Sequence, residues 1–492
     1  PRPPPRGAER RWQEAVLLYS RALAAGGKEA PAEAVLLSNR AAAHLRLENY
    51  GSAASDASKA LELDPRYVKA YYRRADANFA LGKIKLSLAD FRRAAKVAPR
   101  DPDLRRKMKE CEKAVQKIRF EEALAGPEAE AAPPASEAVD LEAMAVPDSY
   151  DGPRMEPDAE GRLQVSRQFV VDMMAHFKDQ KMIHRRYAYE IVLRAQALFK
   201  ELPSIVDVHV MADGEGAGEG GAPAPAAKHV TVCGDVHGQF YDLLNIFELG
   251  GTPSADNPYL FNGDFVDRGS FGVECALTLL AWKVTCPESL YLARGNHETH
   301  NMNKIYGFEG EVRQKFSQNL CDVFRETFCW LPVGHVLNGK VYVVHGGLYA
   351  RDGVTLDELR AIDRNREPAD EGLLCESLWS DPQPEPGRAP SKRGVGVAFG
   401  PDVTQDFLKT NDLSLVVRSH EVKDAGYEVA HGGYCVTIFS APNYCDQMGN
   451  KGAFIRFEAD MVPKFVQFSA VPHPPVRPMA YASNYMSMMQ GF

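Results

Sequence analysis

The sequence predicts an α plus α/β chain. An all-α solenoid of helical repeats covers residues 1–124, and an α/β domain covers 153–475. Three observations predict it. Pro65 and Pro99 close two similar helical stretches and stand 34 residues apart. From residue 229 onward, apolar and β-branched runs each end in a loop that carries Asp, His or Asn. The charge divides in the same place: residues 1–125 hold 26 Lys and Arg against 16 Asp and Glu, a net of +10, while the whole chain is −8, which leaves −18 for the rest.

The first helix is RRWQEAVLLYSRAL at 10–23, read as the second helix of an incomplete first repeat. A Gly- and Ala-rich stretch around 24–34 reads as an insertion. LRLENYGSAASDASKALELDP and ALGKIKLSLADFRRAAKVAP then share one plan: a helix with small residues, a short turn, a second helix and a closing proline. DPDLRRKMKECEKAVQKIRFEEAL at 101–124 is helical and amphipathic and caps the stack. The Pro-, Ala- and Glu-rich stretch 125–152 has few bulky apolar groups and reads as a flexible linker.

The α/β domain opens with helical sequence through ELP at 201–203. ADGEGAGEGGAPAPAAK at 212–228 reads as a disordered insertion before the strand HVTVC. HVTVC then leads into GDVHG at 234–238, PYLFN into GDFVDRG at 263–269, and LYLA into RGNHE at 294–298. VYVV leads into HGGL at 345–348, LSLVV into RSHE at 418–421, and YCVTIF into SAPNYC at 440–445. A lone Asp at a strand end is ordinary turn chemistry. The joint pattern is what carries information.

Six hard or imidazole ligands at strand ends suit a two-metal hydrolytic site. Asp235, His237 and Asp264 can hold one ion. Asn296, His345 and His420 can hold the second, with Asp264 shared. Two ions so bridged acidify a water toward neutral pH. His297 follows a ligand and is better cast as the general acid for the leaving alkoxide. Asp267 is the carboxylate to orient that imidazole. Arg268 offers a planar fork for phosphate oxygens. Together these describe in-line attack of an activated water on a phosphate ester.

These motifs, in this order, resemble the PPP-family serine/threonine protein phosphatases over about residues 165–475. The resemblance implies a metallophosphoesterase-type β-sandwich with flanking helices. It maps the metal ligands onto Asp235, His237, Asp264, Asn296, His345 and His420, and the acid pair onto His297 and Asp267. It places Arg268, Arg393 of SKRGVG and Tyr444 around the substrate phosphate, beside Asn296 and His420. It implies phosphoprotein substrates and two divalent ions, Mn²⁺ or Mg²⁺, with iron or zinc as cellular alternatives. The tail, 476–492, resembles a family extension past the catalytic core.

The 34-residue units resemble tetratricopeptide repeats (TPRs). Asn39, Lys69 and Arg73 match positions that carboxylate-clamp TPRs use to hold an acidic C-terminal peptide. The resemblance implies the tail of the ninety-kilodalton heat-shock chaperone as partner. The first helix of repeat one, which supplies a further Lys and Asn in that family, is absent here, so weaker binding is expected. The combination implies an activity held down by the TPR module and raised by a chaperone or lipid ligand. A basic module beside an acidic enzyme favours docking, and Glu48 in the LENY turn is the candidate phosphate mimic.

Other classes are excluded or ranked lower. No run of about eighteen apolar residues suits a membrane span. Nine cysteines without a CxxC pair describe a reduced inventory, and a cytoplasmic and nuclear location is expected. Nucleic acid is not expected as a partner, because no aromatic platform accompanies the basic charge. Two rivals remain at this level: a nucleotide-directed metallophosphoesterase and a TPR scaffold with little catalysis.

Overall fold

The computed structural model describes residues 8–26, 29–125, 133–211 and 227–482. They form two compact units. One gathers the N-terminal helices and the segment Ala389–Ala398. The other comprises Pro133–Arg388 and Phe399–Ala482.

The first unit holds α1 (Ala8–Ala24), α2 (Ala30–Arg46), α3 (Tyr50–Leu63), α4 (Val68–Ala80), α5 (Ile84–Val97) and α6 (Pro102–Ala125). α2 with α3, and α4 with α5, are the two full repeats. Ala41, Ala53, Ala57 and Ala77 are fully buried between helices, where the absence of bulk lets axes approach. The 34-residue period also appears in the ion pairs. Arg40 forks onto Asp56 at 2.7 and 2.7 Å, and Arg74 forks onto Asp90 at 2.7 and 2.8 Å. α6 starts on Pro102, and the Asp101 carboxylate accepts the amides of Asp103 and Leu104, both at 3.0 Å. α6 also drops Lys107 onto Asp76 at 2.8 Å, with both residues buried.

Two expectations for this unit change. α2 already begins at Ala30, so most of the supposed insertion at 24–34 is helix. Pro31 in the first turn and the following alanines favour that start. Glu48 is half-buried, not fully exposed, and takes φ +58°. The position 34 residues later is Gly82, at φ +73°. The turn needs a left-handed residue, and one repeat supplies glycine while the other supplies glutamate.

The second unit is a layered α/β sandwich. One sheet runs Ile205–Val208, Gly334–Leu337, Val341–Val344, Leu415–Arg418, Cys435–Ile438, Tyr427–Ala430 in spatial order. A second, packed against it, runs Lys464–Phe468, Gly452–Glu458, His229–Cys233, Tyr259–Phe261, Leu290–Leu292. Val232, Leu260, Val343, Val417, Ile438 and Ile455 fill the space between the sheets, all fully buried. Helices cover the outer faces, with Phe177, Phe199, Leu277 and Trp282 in the larger core. The strands that precede the motifs are parallel within each sheet, so their C-terminal ends share an edge. A bridge from Asp235 to Phe439 ties the two sheets there.

The expected flexible linker, 125–152, is corrected in part. Residues 133–152 belong to the catalytic unit. The amides of Ala135 and Ser136 donate to Glu326 at 2.5 and 3.1 Å, and Val139, Leu141, Met144, Val146 and Tyr150 pack on the main core. Spaced apolar residues in a polar stretch are enough to anchor it. The insertion at 212–228 falls outside the described residues except for its last two. The tail is described to residue 482.

Lys107→Met should leave Asp76 buried without its cation and cost the helical unit about 3 kcal/mol. The first urea transition followed by far-UV circular dichroism should move to lower denaturant. The double change with Asp76→Leu should recover most of the loss.

Candidate active site

The site is built where the strands end. Asp235 and His237 follow His229–Cys233, and Asp264, Asp267 and Arg268 follow Tyr259–Phe261. Asn296 and His297 follow Leu290–Leu292, His345 follows Val341–Val344, and His420 follows Leu415–Arg418. Each loop turns back sharply. His237, Asp264, Asp267, Arg268 and His420 take φ of 47°, 52°, 66°, 67° and 69°. Five left-handed non-glycine residues in one place are strain held for a purpose. Glycine removes the remaining obstacles. A Cβ on Gly295 would stand 2.2 Å from Asp264 Oδ1, and one on Gly263 would meet Gly295 N at 2.5 Å.

Asp235, His237, Asp264, Asn296, His345 and His420 are all at least 94% buried and converge. His345 Nε2 lies 2.9 Å from Asn296 Oδ1, 3.2 Å from His420 Nδ1 and 3.3 Å from Asp264 Oδ2. His237 Nε2 lies 3.6 Å from Asp264 Oδ2 and 3.8 Å from Asp235 Oδ2. Asp264 belongs to both tight groups of ligand atoms, one with His237 and one with His345 and His420.

Tautomers make this a metal test. His345 Nδ1 faces the carbonyl of Asn262 at 2.8 Å, and His237 Nδ1 faces that of Val266 at 3.0 Å. A ring nitrogen facing a carbonyl carries the proton, so both Nε2 atoms turn a bare lone pair inward. Burial lowers both histidine pKa values, which keeps the rings neutral. Acceptors therefore meet acceptors. Bonds of about 2.0–2.2 Å to a common ion put neighbouring ligand atoms roughly 3–3.5 Å apart. The residues fit two divalent ions that share Asp264.

His297 also falls in the first group of ligand atoms. Its Nδ1 is held at 2.8 Å by Asp267 Oδ2, so Nε2 is the atom left for the site. Asp267 is fully buried and accepts Phe308 N at 2.8 Å and Asn303 Nδ2 at 3.1 Å. Burial pushes its pKa up to about 7, against the pull of those donors and of Arg268. Arg268 stacks its guanidinium 3.9 Å from the centre of the Tyr306 ring. Tyr444 lies with its ring 5.1 Å from that of His237.

Arg393 lies in the other compact unit. It belongs to Ala389–Ala398, which clusters with the helices, and there Ser52 N donates to Lys392 O at 3.0 Å. In the same unit Arg73 Nη1 reaches Asn39 Oδ1 at 3.3 Å, and exposed Lys69 stands one turn earlier on α4.

Some site residues escaped the sequence reading. Glu298 is fully buried and accepts the amides of Asp264, Gly295 and Phe265 at 2.7, 2.9 and 3.0 Å. It fixes the backbone of Asp264, and burial beside that carboxylate pushes its own pKa up to about 8. Arg418 is fully buried and binds Asp381 at 2.8 Å, Glu421 at 2.9 Å and Gly346 O at 2.7 Å. Both lie inside motifs that were legible. A charged residue two positions from a candidate ligand, Glu298 from Asn296 and Arg418 from His420, was the available signal.

A buried two-ion acceptor cluster at the strand ends of a two-sheet sandwich defines a metallophosphoesterase. Comparison with known proteins agrees. Residues 228–424 match the calcineurin-like phosphoesterase family, 68–101 a tetratricopeptide repeat and 108–207 the PPP5 TPR repeat region. The chain is 49% identical over 478 residues to human serine/threonine-protein phosphatase 5, covering 97% of this chain and 91% of that one. It is 53% identical over 454 residues to the Arabidopsis thaliana protein of the same name, covering 81% of each. A solved Saccharomyces cerevisiae serine/threonine phosphatase, described as similar to human phosphatase PP5, is 40% identical with a TM-score of 0.60. It covers 64% of this chain and 100% of its own. The chain belongs to the serine/threonine-protein phosphatase 5 family: a TPR-regulated, metal-dependent phosphatase. The nucleotide-directed and scaffold alternatives are not favoured. Among the described residues, no helix is long and apolar enough to cross a membrane.

Gly295→Ala should abolish turnover and bound metal, because its Cβ would displace Asp264 Oδ1. Elemental analysis and a phosphoester assay on the same sample check this. A Tm within a few degrees of the parent would show that the fold survives.

Proposed function

We propose that this chain removes phosphate from phosphoserine and phosphothreonine in proteins, with His297 as general acid. The observation that carries this is the Asp267–His297 pair at 2.8 Å, set beside the shared Asp264. Asp235, His237, Asp264, Asn296, His345 and His420 would hold two divalent ions, Mn²⁺ or Mg²⁺ with iron or zinc as alternatives, which would supply Lewis acidity and acidify a water toward neutral pH. Arg268, joined by Arg393 and Tyr444, takes the phosphate oxygens, with Asn296 and His420 alongside. His297 gives its Nε2 proton to the leaving alkoxide, and Asp267 stabilises the imidazolium form.

His297→Asn should cut turnover of phosphoserine peptides by about 10²–10⁴-fold while metal content stays. Esters with very good leaving groups should lose less. An equal loss for good and poor leaving groups would remove His297 from the acid role.

The helical unit regulates the site in this reading, and Glu48 is the phosphate mimic. Support comes from its left-handed backbone where the next repeat has Gly82. A side chain kept at such a position costs roughly 1–3 kcal/mol, which marks a function. The unlike charges of the two modules favour docking. Glu48→Gly should raise basal activity while stability holds or improves, and added salt should mimic it in part. Unchanged basal activity would sink the assignment.

Asn39, Lys69 and Arg73 form the proposed clamp for the acidic tail of the ninety-kilodalton heat-shock chaperone. Lipid is a second proposed activator, and the proposed location is cytoplasm and nucleus. Calorimetry with the tail peptide should show binding that Lys69→Glu abolishes; no heat with the parent chain would refute the clamp.

A further inference from the structure

After its last sheet strand the chain crosses back to the loop that carries Asp267 and Arg268. Met479 N donates to Arg268 O at 2.7 Å. Ser270 Oγ donates to Arg477 O at 2.8 Å and accepts Ala480 N at 3.2 Å. Met479 and Ser270 are each only 3% exposed. Lys315 backs the same clasp: its Nζ reaches Ser270 O at 3.2 Å and lies 5.6 Å from the Tyr481 ring. Tyr481 in turn rests on the helix Phe308–Lys315, where a Cβ on Gly310 would stand 2.4 Å from Tyr481 O. On its other side Arg268 N reaches Tyr306 O at 3.3 Å.

A left-handed arginine persists only where its surroundings over-determine it. A fork for phosphate must also hold its place within about 0.5 Å. Tyr306 fixes the amide side of Arg268, and the returning segment fixes the carbonyl side. We propose that residues 477–482 are a positioning strap that sets the aim of Arg268, acting through the Arg268 carbonyl and the Ser270 hydroxyl. The inference rests on Arg268 being the phosphate fork. Ser270 and Met479 act on the site through Arg268.

The test uses the full chain with Ser270→Ala, Ser270→Thr and Gly310→Ala, each also in an Arg268→Ala background. Gly310→Ala lifts the strap from the far side and leaves loop and strap atoms unchanged. The readouts are kcat, KM for a phosphopeptide, inhibition by inorganic phosphate and bound metal. Ser270→Ala and Gly310→Ala should raise KM and the phosphate inhibition constant together by roughly tenfold, with kcat moving less than about twofold and metal retained. Ser270→Thr should restore both. In the Arg268→Ala background the effect should vanish, since coupled residues are not additive. An undiminished effect there, or a fall in kcat with unchanged phosphate inhibition, overturns the strap. Unchanged phosphate inhibition in Arg268→Ala alone overturns the fork, and the strap with it. If Ser270→Ala does not fold, Gly310→Ala carries the same comparison.

Discussion

The catalytic unit is organised around one electrostatic problem: too many hydrogen-bond acceptors in too small a dry space. Asp235, Asp264 and Glu298 are within 1% of full burial, and three imidazoles and Asn296 join them. Each buried carboxylate costs several kcal/mol unless it is compensated. The fold compensates them unequally. Glu298 takes three backbone amides and is structurally spent. Asp264 Oδ1 takes the amide of His297, and Asp235 Oδ1 takes that of His420. Oδ2 of both aspartates faces the histidine Nε2 atoms. The geometry of the strand ends, the glycines and the histidine tautomers all follow from keeping those two oxygens available.

Strain is the second consequence. A ligand loop has to leave its strand and turn its side chain back over the strand end. Five residues do this at positive φ. Local preference would put glycine at such places, and Gly238 and Gly263 take neighbouring ones, at φ +62° and +83°. Asp, His and Arg stand at the others because a side chain is needed there. Such conflict between local rule and observed residue is expected at functional sites. Gly82 and Glu48 show the same conflict across one repeat period.

Much of this was legible. The 34-residue period gave the helix pairs, and Asp235, Asp264, Asn296, His345 and His420 were readable as converging strand-end residues because runs of apolar residues mark the strands. What stayed hidden depends on partners distant in sequence. Glu298 has its role through the amides of Asp264 and Phe265, over thirty residues away. The segment 133–152 looked like linker because its anchor is Glu326, about 190 residues on. Composition reports average polarity and cannot show where five spaced apolar side chains land. The half-burial of Glu48 and the clustering of Arg393 with the helices are likewise set by packing, not by local sequence.

The helical unit supplies the contrast that gives the site its meaning. It also buries charge: Asp56, Asp76 and Asp90 are 3–6% exposed. Each of these meets an opposite charge, Arg40, Lys107 or Arg74, within 2.9 Å. Two of the pairs recur at the repeat period, each joining the two helices of one repeat. Such pairs are closed, since every charge is matched inside the chain. At the strand ends the matching fails by design: His345 Nε2 has Asn296 Oδ1, His420 Nδ1 and Asp264 Oδ2 around it. Every one of those can present a lone pair to a cation. Burial or ionisation alone does not separate the two cases, because both are dry and charged. The sign of the neighbours does. Opposite signs make structure, and converging acceptors require something the chain does not itself provide.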